Sequence, residues 1–184
     1  MKKIYIILMH TKTLPAKMIQ KATKYKYTHV VISLDKECDK IYSFGRKTLN
    51  NILNCGFTIE QKNGAFFQKF NQTECRIYEL SITEEKYQKM KELLDFMEQN
   101  KDTYKYDFIG LFLRYWNITI PLKNHYVCSY FVASLLEQTN ITHFSKKTAL
   151  VRPQDFELLE NSRVIYEGLY QKYTSTENNF VSLS

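Results

Sequence analysis

Apolar and polar positions along the chain follow two periods. The first clear feature is the apolar run Ile4 to Met9, closed by His10 and Lys12. Such a run bounded by polar residues predicts a strand buried on both faces. His10 to Pro15 then reads as a loop into a helix, with Thr13 or Leu14 near the cap and Pro15 in the first turn. Met18, Ile19 and Ala22 form its expected inward face. A period of two appears at Tyr27 to Asp35, where Val30, Ile32 and Leu34 face one way and His29, Val31 and Ser33 the other. The polar turn Lys36 to Asp39 returns the chain through Lys40 to Arg46 as an antiparallel hairpin. An odd number of loop residues puts Ser43 on the face of His29; an even number puts Tyr42, Phe44 and Arg46 there.

Residues 47–65 are rich in Asn and broken by Gly56 and Gly64, so the pattern supports one short strand near Phe57 to Glu60 within an irregular excursion. Ala65 to Phe70 and Cys75 to Ser81 read as two further strands around the turn Asn71 to Glu74. Helix-start chemistry follows at Ser81 to Glu85, and Tyr87, Met90, Leu93, Leu94 and Met97 keep helical spacing to about Asn100. Tyr104 to Leu111 opens another helix, aromatic in character, that runs toward Trp116 and ends before Pro121. From Tyr126, the residues Phe131, Val132, Leu135 and Leu136 share one helical stripe with Cys128. Asn140 is the expected C-cap, Pro153 to Phe156 a first turn, and Arg163 to Tyr166 a last strand. The pattern therefore predicts an α+β fold, an antiparallel sheet packed against helices, as one domain over 1–173 with a frayed tail over 174–184.

Composition changes this picture little. A chain of 184 residues can bury a core without disulfide or metal staples. The formal net charge of +7 comes from scattered lysines with no basic run, so no nucleic-acid partner is expected. The start, Met1-Lys2-Lys3 before the apolar run, resembles a signal peptide, but the run is short and no small-residue cleavage site follows. No stretch reaches transmembrane length. Cys38, Cys55, Cys75 and Cys128 lack CxxC or Cys/His finger spacing, so neither metal, other cofactor nor disulfide framework is expected, and reduced thiols suit a cytoplasmic location. The sequons at Asn71, Asn117 and Asn140 carry no weight without a secretion signal.

Candidate chemistry begins at Cys128. Backbone N–H groups in a first helical turn lack intrahelical partners and the dipole there is positive, which favours a thiolate and can hold an oxyanion. A thiol nucleophile also needs a base within hydrogen-bond reach. His29 stands in a strand with a polar side face, whereas His10 ends a strand, His143 sits in a loop and His125 precedes the helix that starts near Cys128.

The segments Tyr27-Thr28-His29-Val30-Val31-Ile32-Ser33-Leu34-Asp35 and Tyr126-Val127-Cys128-Ser129-Tyr130-Phe131-Val132-Ala133, with Tyr-Asp-x-x-Gly-Leu at 106 to 111, resemble the circularly permuted branch of the papain-like NlpC-type amidases. In that branch the histidine strand precedes the cysteine helix. The resemblance spans roughly residues 27–136. It implies a papain-like fold in permuted order and a cysteine amidase, peptidase or acyltransferase, with Cys128 as nucleophile and His29 as general base. The backbone N–H of Cys128 or Ser129 would line the oxyanion site. The family's third polar residue, which orients the histidine, falls at Ser43, where a longer polar side chain is usual; Asp35 or a water could substitute. Tyr126 is a candidate for binding an oxyanion or substrate, and Tyr42 and Arg46 for reading a substrate carboxylate or phosphate. The expected substrate is a peptide amide, including cell-wall-type peptides, or a lipid-linked acyl group. The alternative is a catalytically silent papain-like module that binds peptide or lipid.

Overall fold

A computed structural model describes residues 1–49, 51, 53–120 and 122–176. Pro121, the expected helix stop, and residues 177–184 of the expected tail lie outside the described residues. Eight strands form one sheet in the order β7-β6-β4-β3-β2-β1-β5-β8. They are β1 (Lys2–His10), β2 (His29–Ser33), β3 (Lys40–Arg46), β4 (Cys55–Gln61), β5 (Glu74–Ile82), β6 (Lys105–Tyr106), β7 (His125–Tyr126) and β8 (Ser162–Leu169). Every pairing is antiparallel except β6 with β7, which is parallel. Five α-helices join them: α1 (Leu14–Thr23), α2 (Ala65–Lys69), α3 (Glu84–Gln99), α4 (Phe108–Leu113) and α5 (Cys128–Gln138). The architecture is thus α+β with an antiparallel-dominated sheet packed against helices.

Strand β1 lies inside the sheet, between β2 and β5, and is apolar on both faces. Ile4, Ile6 and Leu8 join Val30, Ile32 and Phe44 in a core with Met90 and Leu94 of α3 and Phe131, Val132, Leu135 and Leu136 of α5. On the other face Tyr5, Ile7 and Met9 join Val31, Ile41 and Ile77 with Phe67 of α2, Tyr170 and Tyr173. Residues Phe44, Phe57 and Phe131 meet at centroid separations of 5.1–5.9 Å, so α5 is keyed to β3 and β4 by aromatic contact.

Several elements follow their local signals. Thr83 caps α3 through Lys86 N–H, with Glu84 and Glu85 in the positive first turn. Thr13 caps α1 in the same way. Other expectations need correction. Ala65–Lys69 is helical, not a strand: five residues are too few for a period to decide, and Phe66 stacks on Phe70 one turn on at 4.9 Å. The inward face read for α1 holds only at Ile19, which is half-buried, since Met18 and Ala22 are exposed while Ala16 is buried. The aromatic helix from Tyr104 shrinks to α4 and a 3-10 turn at Arg114–Trp116. Within residues 47–65, β4 is longer than the pattern suggested and completes a hairpin with β3 in the register Ser43↔Thr58. At the end of the described chain Ser175 is held by Glu37, whose carboxylate accepts the Ser175 N–H at 3.0 Å.

Candidate active site

The hairpin register decides what His29 meets. Ile32 pairs with Tyr42, which leaves nine intervening residues, an odd number. Ser43 therefore shares the face of His29, and Ser43 Oγ lies 2.8 Å from His29 Nε2. The carboxylate of Asp35 shapes the hairpin turn, accepting from Glu37 N–H at 2.8 Å and Asp39 N–H at 2.7 Å, so it is not the group that orients His29. A Cβ added at Gly45 would stand 3.7 Å from His29 Cε1, so the glycine borders the ring without being sterically required. Burial pushes the His29 pKa down to about 4, which makes the imidazole neutral at pH 7. With Nε2 engaged by Ser43, Nδ1 is the nitrogen without a hydrogen-bond partner among the described residues.

Cys128 opens α5. Its N-cap is Val127, which has no side chain to accept from the first turn, so that turn is uncapped. The sulfur sits against strand β2, where the backbone N–H of Val30, the residue after His29, favours the thiolate together with the N–H groups of Ser129 and Cys128 and the Arg114 guanidinium. Desolvation outweighs all of them. Cys128 is only 7% exposed and its pKa is raised above the ordinary thiol value. At rest Cys128 is therefore a protonated thiol and His29 a neutral imidazole.

Behind Cys128 lies a buried pair that sequence reasoning gave no role. Asp107 caps α4 by accepting from Gly110 N–H at 2.7 Å, and its other oxygen lies 3.2 Å from Arg114 Nη2. A Cβ at Gly110 would fall 1.9 Å from Asp107 Oδ2, so only glycine admits this cap. Arg114 Nε donates to Ala149 O at 2.5 Å, its guanidinium lies over the Tyr130 ring at 5.5 Å, and Nη1 is buried without a partner among the described residues. The signal was available: Asp-x-x-Gly is the spacing of a side-chain cap, and Arg114 follows Asp107 by seven residues, two helical turns.

The remaining candidates are dispersed. Tyr126 stacks on Tyr130 at 4.8 Å and touches Phe44 at 5.1 Å, which makes it an aromatic wall beside α5. Ser129 Oγ donates to Val151 O at 2.6 Å, leaving its backbone N–H as the group that faces the sulfur. Tyr42 is buried in the core against Phe57. Arg46 lines a separate cavity of about 430 Å³ with Thr58, Glu60, Glu98 and Lys101, in which neither Cys128 nor His29 takes part. His125 donates its Nδ1–H to Lys123 O at 2.8 Å. Among the described residues no group of three or more His, Cys, Asp or Glu side chains is arranged to hold a metal ion. Comparisons with protein-family models, curated proteins and solved structures find no match.

Proposed function

We propose that this chain is a thiol hydrolase or acyltransferase, papain-like in circularly permuted order, that works through Cys128 and His29. The observation that carries the reading is the junction at β2: His29 is tied through Nε2 to Ser43, and the next amide along the strand meets the sulfur at the uncapped start of α5. In this reading Cys128 Sγ attacks the carbonyl carbon of an amide, ester or thioester while its proton passes to His29. The oxyanion accepts from the first-turn N–H groups of Cys128 and Ser129. Collapse expels the leaving amine, alcohol or thiol, which takes the proton back, and leaves a thioester on Cys128 for water or an acceptor nucleophile. Because thiol and imidazole are both neutral at rest, His29 acts as a base during attack. The substrate class that fits is a peptide amide or a lipid-linked acyl group.

Alkylation with iodoacetamide at neutral pH, read by peptide mapping, tests this. Cys128 should react faster than the partly exposed Cys55 and the buried Cys38 and Cys75, and His29→Ala should remove the excess. Equal rates, unchanged by His29→Ala, end the nucleophile reading.

A second reading is favoured by the raised thiol and the low histidine pKa: a silent module that binds peptide or lipid. It predicts ligand binding that survives Cys128→Ser, with no covalent adduct on the wild-type sulfur.

A further inference from the structure

Half of the large apolar side chains exposed among the described residues fall in one short excursion, Phe108 to Leu122. The chain leaves the sheet at β6 and returns at β7, and the base is pinned by Lys105 N–H to Asn124 O and Asp107 N–H to Tyr126 O, both 2.9 Å. Along it Ile109, Phe112, Trp116, Ile118, Ile120 and Leu122 are between 43 and 69% exposed. Monomeric proteins leave single apolar residues on their surface, but a run this dense in one segment marks an interaction surface.

Charge selects the partner. Asp107 is the only acidic residue between Thr103 and Tyr126, and it is buried against Arg114. Lys105 and Lys123 stand exposed at the two ends of the excursion, and Lys147 is exposed two residues from the Ala149 carbonyl that holds Arg114. None of these three lysines has an acidic partner among the described residues. A second copy of the chain docked face to face would oppose lysine to lysine. An anionic lipid surface instead accepts the aromatic and aliphatic tips at its interface and neutralises the cations around them, and the net charge of +7 acts in the same direction. No described helix is long and apolar enough to cross a membrane.

We propose that the 108–122 excursion docks on anionic lipid bilayers. The surface does not depend on Cys128 being a nucleophile. If Cys128 is one, docking presents the start of α5 to a lipid-borne substrate, because β7 leads directly into that helix.

The test uses the full chain with vesicles of phosphatidylcholine alone or mixed with phosphatidylglycerol. Trp116 is the single tryptophan, so its emission reports the contact directly. Expected are co-flotation with the mixed vesicles, a blue shift of Trp116, and loss of binding in high salt. Phe112→Ser with Ile120→Ser should weaken vesicle binding at least tenfold while the thermal unfolding curve stays in place, and Lys105→Glu with Lys123→Glu should weaken it without removing any apolar group. Absence of flotation with unshifted emission, equal binding to phosphatidylcholine alone, or binding retained in the serine variant overturns the proposal. So does a wild-type dimer in sedimentation that the serine variant abolishes, since the surface would then join two copies of the chain.

Discussion

Two partly enclosed groups titrate with opposite sign over the same pH range, which makes the neutral state of His29 measurable. His29 has a folded pKa of about 4 against an ordinary 6.5. Between these values the unfolded chain binds the extra proton, so this contribution is complete above about pH 6.5 and is lost as pH falls toward 4. From pH 7.5 to pH 5 the loss is at most about 2 kcal/mol. Glu60 is pushed up to about 7 by burial, opposed only weakly by Thr58 and Arg46. There the folded state holds the proton, so stability rises by a similar amount, about 2 kcal/mol, as pH falls from 7.5 to 5. The wild-type dependence from this pair should nearly cancel. Urea titrations at pH 7.5, 6 and 5 separate the two. Relative to wild type, Glu60→Gln should lose about 2 kcal/mol on acidification and His29→Asn should gain about 2, with the double variant again flat. Comparing slopes with wild type removes the other titrating groups. If the His29→Asn curve runs parallel to wild type within about 0.5 kcal/mol, the ring is not held neutral by desolvation, and the description of His29 as a neutral imidazole at rest is wrong.

Three further outcomes follow from named contacts. Gly110→Ala places a Cβ against the Asp107 carboxylate and should destabilise by about 2–4 kcal/mol, read as a lower urea midpoint, whereas Gly45→Ala should move it by less than about 1 kcal/mol. Ser43→Ala removes the partner of His29 Nε2; it should cost about 1–2 kcal/mol and slow Cys128 alkylation severalfold, and Ser43→Asn should restore part of the rate. Val127→Ser supplies the missing cap of α5, so it should stabilise the protein by about 1 kcal/mol while slowing Cys128 alkylation, because the hydroxyl competes for the same first-turn N–H groups; faster alkylation would contradict that competition.

What was legible in the sequence is what local rules determine. The apolar run of β1, the capped spacing of α3 and the Cys128 stripe each carry a period long enough to read. The choice between Ser43 and Tyr42 beside His29 was open because register depends on the turn. Here the turn is shaped by Asp35 accepting from three amides and by Cys38 in the left-handed region at φ 53°. The α2 segment was misread since three phenylalanines in six residues suit either period, and tertiary contact with Tyr170 fixed the outcome. The Asp107–Arg114 pair was missed for a different reason. Its cap spacing is readable, but the burial of Asp107 against Arg114, and of Arg114 over the Tyr130 ring, depends on tertiary packing that no local pattern encodes.

The departures from local rules converge on one place. Thr13 and Thr83 cap α1 and α3, yet α5, whose first residue is the candidate nucleophile, has valine at its cap. The ladder between β2 and β3 is limited to Ile32↔Tyr42, and beyond it the strands are linked through His29 and Ser43 side chains while Val30 N–H meets the sulfur. Arg114 keeps a buried Nη1 without a partner among the described residues although its other nitrogens are engaged. The first-turn N–H groups of Cys128 and Ser129, the Val30 N–H and the Arg114 guanidinium all favour negative charge on the sulfur. An arrangement of donors around a protonated thiol stabilises negative charge that is not yet there, and burial keeps water from satisfying them first. Under the proposed chemistry they favour the thiolate as it forms and the oxyanion after it, so their effect falls on the reaction coordinate more than on the resting protein.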